Sequence, residues 1–391
     1  MGQRREARAG RRLVRRGSSA RRDALRRQGL RRPWPRQQCR SVVDLDLEPV
    51  CAWRRRLTKR AGSLSAGPLR RVRASQYLAS VVAGSTTIPV IDISPSASAE
   101  EACARIDAAC RGIGFFAITG HGVAGELLDG VLDVARQFFA QALAHKNSLA
   151  IELSDHHRGY AGVEGELLQP GLRADYKETL DFGPEVPLDD PQRSPLEGPN
   201  QWPDLPGFRD AVEAYQAAVL EAAKRLLRLI AQALRQDRSF FDQRFERPLV
   251  GTRLIRYPAV AEPRPDQLGC GAHSDYGCVT LLHIDGTAGL QLADIDGRWH
   301  DVIAPPGSFI VNLGDMLARW TNDRYRATVH RVQSPRIADR YSVPTFVNPS
   351  YDTIVECLPS CLGEGEQPKD PTTTSGAYLQ SRFDETFAYR Q

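Results

Sequence analysis

The 391-residue chain is 41% hydrophobic and 25% charged, ordinary proportions for a globular protein of one large domain or two average ones. No stretch approaches the roughly 20 uninterrupted apolar residues of a membrane-spanning helix, which excludes a helical membrane protein. The net charge of +5 hides +18 over residues 1–86 and −13 over the rest, and an acidic body repels phosphate backbones.

Residues 1–86 form a basic leader. Paired arginines recur through it, from Arg4-Arg5 to Arg31-Arg32, with few large apolar residues between them, so the segment has no core face to bury and is expected to be disordered alone. Its Arg-rich, acid-poor composition also fits a transit peptide, or a tail for nucleic acid or anionic membrane. Glu6 stands where N-myristoylation of Gly2 would need Ser or Thr. Met occurs only at Met1 and Met316, so a true start at another codon near Val81 or Val82 would make the leader a translation artefact. The expectation is a tail without a role in catalysis.

The eight cysteines form no CxxC pair, and the absence of a secretory signal points to reduced thiols in a cytoplasmic protein. Cys103 and Cys110, seven apart in a helical pattern, read as small buried hydrophobes.

From Ile88 onward, Ile88–Ser94 reads as a short strand, Ala99–Arg111 as a helix, and Gly114–Thr119 as a second strand broken by Gly120-His-Gly122. Glu126–Ala144 has the spacing of one amphipathic helix. Gly183–Gly207 holds seven prolines and must be a long loop. A strong helix follows from Phe208 to about Arg235, its apolar stripe read as core. The pattern then changes to short strands: Thr252–Tyr257, Cys278–Ile284, Leu290–Ala293, Trp299–Val302, Phe309–Leu313, Ala327–Val332 and Tyr341–Val347. Seven or eight such strands in about a hundred residues suggest a sandwich, barrel or jelly roll. No Walker loop, Rossmann fingerprint or nucleophile elbow is present.

The chemistry concentrates in Gly271-Ala-His273-Ser-Asp275-Tyr-Gly277. On extended backbone His273 and Asp275 face one side. With His330 on the strand Ala327–Val332 they can form a facial triad that leaves iron positions open. Such a pair arises cheaply, as His156-His157 shows, and a turn-capping His beside a solvated Asp would look the same. What shifts the balance is Arg340-Tyr-Ser342, ten residues after His330, whose guanidinium and hydroxyl on one face make a carboxylate receptor.

These elements resemble the isopenicillin N synthase-like branch of the Fe(II)/2-oxoglutarate-dependent dioxygenases. The resemblance runs from about Ile88 to the C-terminus, through Ile88-Pro-Val-Ile-Asp92, Gly114-Phe-Phe, Gly120-His-Gly-Val123, Leu254-Ile-Arg-Tyr-Pro258, Gly289-Leu-Gln291, Asn312-Leu-Gly-Asp315 and His330-Arg-Val332. It implies a mainly β fold with flanking helices, a double-stranded β-helix (jelly roll) behind an N-terminal α/β region. The expected divisions are a leader to residue 86, an N-terminal region over 87–205, a core helix and connector over 206–250, the jelly roll over 251–350, and a C-terminal segment over 351–391.

By position, the resemblance implies His273, Asp275 and His330 as Fe(II) ligands, and Arg340 and Ser342 as the receptor for 2-oxoglutarate, with Tyr257 adding a hydrogen bond. The implied reaction decarboxylates 2-oxoglutarate to succinate and CO2, uses O2, and hydroxylates, desaturates or cyclises a small molecule. Pocket walls are expected from the Asp155–Phe182 region, Arg256 and Phe346. His121 is read as structural, His283 and His300 as packing or surface residues, and Asp315 as bonded to nearby backbone. No membrane partner is expected, and nucleic acid is unfavoured outside the leader. The alternatives are an iron oxidase of the isopenicillin N synthase type, an ethylene-forming enzyme, or an inactive binding protein. Ala259, where the synthase has a substrate-contacting tyrosine, weakens the first.

Overall fold

The computed structural model describes residues 85–386, so the leader ahead of Ser85, with Cys39 and Cys51, lies outside the described residues. The elements in chain order are β1 (Ser85–Thr87), β2 (Val90–Asp92), α1 (Ala99–Arg111), β3 (Phe115–Thr119), α2 (Gly125–Phe139), α3 (Leu143–Asn147), β4 (Gly159–Ala161), β5 (Glu178–Phe182) and α4 (Phe208–Ala233). The strand-rich half follows with β6 (Leu249–Tyr257), β7 (Cys270–His273), β8 (Val279–Ile284), β9 (Leu290–Ala293), β10 (Trp299–Ile303), β11 (Phe309–Leu313), α5 (Asp315–Trp320), β12 (His330–Val332) and β13 (Arg340–Asn348). The small hairpin β14 (Ile354–Val355) and β15 (Thr373–Thr374) and the helix α6 (Ser375–Thr386) end it.

Two sheets make the core. One runs β1-β10-β9-β12-β7, the other β2-β3-β11-β8-β13-β6-β5-β4. Strand alternation sends Phe115, Ala117, Ile255, Leu282 and Ile310 of the larger sheet toward Cys270, Leu290, Leu292 and Val332 of the smaller, forming one apolar layer. The intervening residues Phe116, Ile118, Leu254, Leu281 and Val311 face the other way, into a layer shared with Ile106, Val131, Val219 and Leu226 of α1, α2 and α4. The larger sheet is therefore buried on both faces, and the double-stranded β-helix carries its helices on one side. Among the described residues no helix is long and apolar enough to cross a membrane.

The expected helix over Glu126–Ala144 divides in two. α2 stops at Phe139, and Lys146 from α3 donates to the Phe139 carbonyl at 3.2 Å, occupying a helix-end acceptor. The lysine is held there by Glu178 at 2.6 Å, a tertiary partner 32 residues away. Strands β4 and β5 lie in the stretch expected only as pocket wall. Cys110 is fully buried in the helical core as expected, and Cys103 is half-buried.

Candidate active site

His273 ends β7 and His330 begins β12, and the two are direct partners in antiparallel register. Their rings lie 4.3 Å apart between centroids. Asp275 stands beyond the end of β7 in a loop rather than on the strand, yet Oδ1 is 3.8 Å from Nε2 of both histidines. One ligand atom from each residue falls within 4.8 Å of the other two.

Neighbouring groups aim all three. His273 Nδ1–H donates to the Gly271 carbonyl at 2.8 Å and His330 Nδ1–H to the Thr328 carbonyl at 3.1 Å. Both rings thus keep the Nε2 lone pair for a metal. Asp275 Oδ2 accepts from Thr280 Oγ1 at 2.5 Å and Asn312 Nδ2 at 2.6 Å, which turns Oδ1 toward the histidines. Burial alone would raise the Asp275 carboxyl, but His330 and His273, helped by these two donors, hold it below the usual carboxylate range. Burial, then His273, lowers His330, so the neutral, ligating imidazole is favoured. The loop is fixed from behind: Asp315 N–H donates to the Asp275 carbonyl at 2.8 Å and Met316 N–H to that of Gly277 at 3.0 Å. A Cβ on Gly314 would strike the Gly277 carbonyl, so only glycine fits that approach. One buried and one half-buried imidazole and a buried carboxylate, with free lone pairs facing one point, suit Fe(II).

A pocket runs inward from this triad between the sheets, past Phe115, Leu282 and Leu290, to Arg340. Arg340 is 1% exposed, and its Nη1 has no hydrogen-bond partner. Nε donates to the Thr287 carbonyl at 3.2 Å, and the guanidinium lies over the Tyr257 ring, 5.0 Å from its centroid. Register pairs Arg340 with Tyr257 and Ser342 with Ile255, so both members of Arg-x-Ser face the pocket. Burial pushes the Tyr257 phenol up to about 12, and Ser342 hydrogen-bonds to it. A buried arginine with an orphaned N–H beside a hydroxyl and a phenol fits the distal carboxylate of a dicarboxylic acid.

A second cavity, about 150 Å³, opens on the outer side of His273 and Asp275. Phe346 lines both spaces, as do Arg253 and Leu168. His156, Asp181 and Phe182 from the Asp155–Phe182 region line the outer one.

Arg256 corrects the sequence reading. On β6 the odd-numbered residues Gly251, Arg253, Ile255 and Tyr257 face the two cavities. Arg256 points to the opposite face, bound to Glu178 and Asp339 at 2.7 Å each. Period-two alternation on a nine-residue strand excludes it from the pocket. Asp315 also differs: besides its backbone bond, its carboxylate accepts from Tyr378 Oη at 3.4 Å. His121 accepts from Val123 N–H at 3.2 Å and bonds the Gly307 carbonyl at 2.8 Å, a structural role. His283 is buried against the Leu128 carbonyl and His300 is paired with Asp294.

What residue patterns did not reveal is a buried ionic group on the wall of both cavities. Lys177 contacts Asp175 at 2.5 Å and Glu166 at 3.1 Å, while Arg253 contacts Glu166 at 3.0 Å and Asp181 at 2.6 Å. Lys177 and Asp175 are near neighbours in the chain, but Arg253 arrives from a strand some 70 positions away, and no local pattern announces that meeting.

Comparison with known proteins decides the family. Residues 88–205 match the N-terminal model of the non-haem dioxygenases in morphine synthesis, and residues 248–349 match the 2OG-Fe(II) oxygenase superfamily. A 2-oxoglutarate-Fe(II) type oxidoreductase of Emericella nidulans (hxnY) is 38% identical over 316 residues, 76% of this chain and 90% of the relative. The chain belongs to the Fe(II)/2-oxoglutarate oxygenase superfamily. This oxygenase, of the isopenicillin N synthase-like branch, is also 36% identical to a homoarginine-6-hydroxylase of Glycine max over 70% of its own length and 88% of that protein's. Its fold is similar to that of a full-length Neurospora crassa protein solved in complex with alpha-KG and thymine, with TM-score 0.68, 28% identity and coverage of 76% of this chain and 96% of that one. The oxygenase is an oxidoreductase that uses Fe(II), 2-oxoglutarate and O2 on a small molecule.

Proposed function

We propose that His273, Asp275 and His330 hold the Fe(II), that Arg340, Ser342 and Tyr257 hold the distal carboxylate of 2-oxoglutarate, and that the cavity beside Phe346 takes the molecule to be oxidised. The observation that carries this reading is the unpartnered Nη1 of a fully buried Arg340 at the far end of a pocket that begins at the triad. When bound, the iron and 2-oxoglutarate supply the oxidising power, with release of succinate and CO2, to hydroxylate, desaturate or cyclise the substrate. The protein's own part is placement. Arg340 would fix one end of the co-substrate, His273, Asp275 and His330 would hold the iron at the other, and the apolar walls Phe115, Leu282 and Leu290 would keep water away from the space between.

The test is succinate formation by wild type and Arg340 variants with Fe(II) present. Removing one partner of a buried charge pair typically costs about 3–5 kcal/mol. Arg340→Ala should therefore raise the 2-oxoglutarate KM by orders of magnitude and leave metal affinity unchanged. Arg340→Lys should restore only part, because an ammonium cannot reproduce the forked contact. Succinate formation by Arg340→Ala at wild-type 2-oxoglutarate concentrations would refute the assignment. His273→Ala or Asp275→Ala should abolish tight metal binding.

A further inference from the structure

The outer cavity carries a polar pair to which neither iron nor 2-oxoglutarate gives any work. Arg253 on β6 and Asp181 on β5 are direct register partners, and both line this cavity. Arg253 Nε donates to Asp181 Oδ1 at 2.6 Å and its Nη1 to Glu166 at 3.1 Å. Among the described residues Nη2 has no hydrogen-bond partner, although the arginine side chain is only 13% exposed. On Asp181, Oδ2 accepts a single long bond, from Thr179 Oγ1 at 3.3 Å. The cavity wall thus presents a strong donor directly beside an acceptor with spare lone pairs.

Charge and shape narrow what such a pair can bind. Arg253 and Lys177 are already matched by Glu166, Asp175 and Asp181, so this ionic group itself offers an incoming anion no uncompensated positive charge. The space of about 150 Å³ is the size of a cavity that holds one aromatic ring, and Phe182, Phe346 and Phe383 wall it with flat apolar surface.

We propose that Arg253 and Asp181 read the edge of a flat, uncharged ring bearing an N–H beside a carbonyl, that is, a cyclic amide or imide. The ring carbonyl accepts from Arg253 Nη2 and the ring N–H donates to Asp181. A site built for both partners rejects a ring that lacks one, because a buried polar group is then left unpaired. This deepens, and rests on, the dioxygenase reading of the same site.

The experiment is calorimetric titration of the full chain, loaded with Mn(II) and then 2-oxoglutarate, using uracil, 2-pyridone, their N-methylated forms and benzoate. Uracil and 2-pyridone should bind at least tenfold more tightly than 1,3-dimethyluracil, 1-methyl-2-pyridone or benzoate. In Asp181→Asn the discrimination against N-methylation should shrink. The wild-type comparison stands without any variant, so poor folding of Asp181→Asn does not blunt the test. If 2-oxoglutarate itself fails to bind, the underlying dioxygenase reading falls. If it binds but the rings are absent or undiscriminated, or benzoate binds best, only the role of Arg253 and Asp181 falls.

Discussion

Asp275 divides its two oxygens between different tasks. Oδ2 is saturated by Thr280 and Asn312, and Oδ1 is left to face the two imidazoles. Without such donors a carboxylate in a loop would rotate, and a metal would have to order it on binding. Loss of an outer partner of a metal ligand typically costs 10–100-fold in affinity, as an order of magnitude. Asn312→Ala should therefore weaken Mn(II) or Fe(II) binding by roughly that factor while the circular dichroism spectrum stays unchanged. Unaltered metal affinity would mean that Thr280 alone suffices.

Within β6, side-chain alternation gives two arginines three residues apart opposite fates. Arg253 faces the cavities and Arg256 the Glu178 side, where Lys146 and Tyr160 also meet that carboxylate at 2.6 and 2.7 Å. Arg256→Ala should cost stability, about 1.5–3 kcal/mol for lost charged hydrogen bonds, yet leave the 2-oxoglutarate KM alone. A marked rise in that KM would contradict the register. The ionic group between β5 and β6 makes a pH prediction. Burial alone would raise the Glu166 carboxyl, but Arg253 and Lys177, with a smaller contribution from His157, bring it down to about 2. Its folded pKa lies below the unfolded value of about 4.3. The stabilisation is thus complete above that value and is lost as pH falls toward 2. Thermal unfolding of wild type and Glu166→Gln should differ most above about pH 5, with the gap closing on acidification. A gap independent of pH would show that the charge of Glu166 contributes nothing.

At the scale of the molecule, the larger sheet is buried on both faces, between the smaller sheet and the helices α1, α2 and α4. At the edge of the smaller sheet, Ser85–Thr87 of β1 pair in parallel with Asp301–Ile303 of β10. A chain that begins at Ser85 should unfold at the same temperature as the full chain and form succinate at the same rate. Loss of the cooperative transition would show that the basic leader supplies a structural element.

The sequence by itself determined what depends on short-range order. Period-two strands, the 26-residue helix α4 and the family's motifs were legible because each is written within a few turns or strand residues. His273, Asp275, His330, Arg340 and Ser342 stood out as short motifs, although the meeting of the two histidines depends on the pairing of β7 with β12. Tertiary structure alone decided which partners come from far away. The break after Phe139 depends on Lys146 reaching Glu178, and the direction of Asp275 depends on Asn312. The exclusion of Arg256 depends on which face of β6 meets the smaller sheet. The Arg253 cluster joins Glu166, Lys177 and Asp181 across loops whose course no local pattern specifies. Burial makes such distant pairs strong, and burial is a property of the packed sheets rather than of any segment in them.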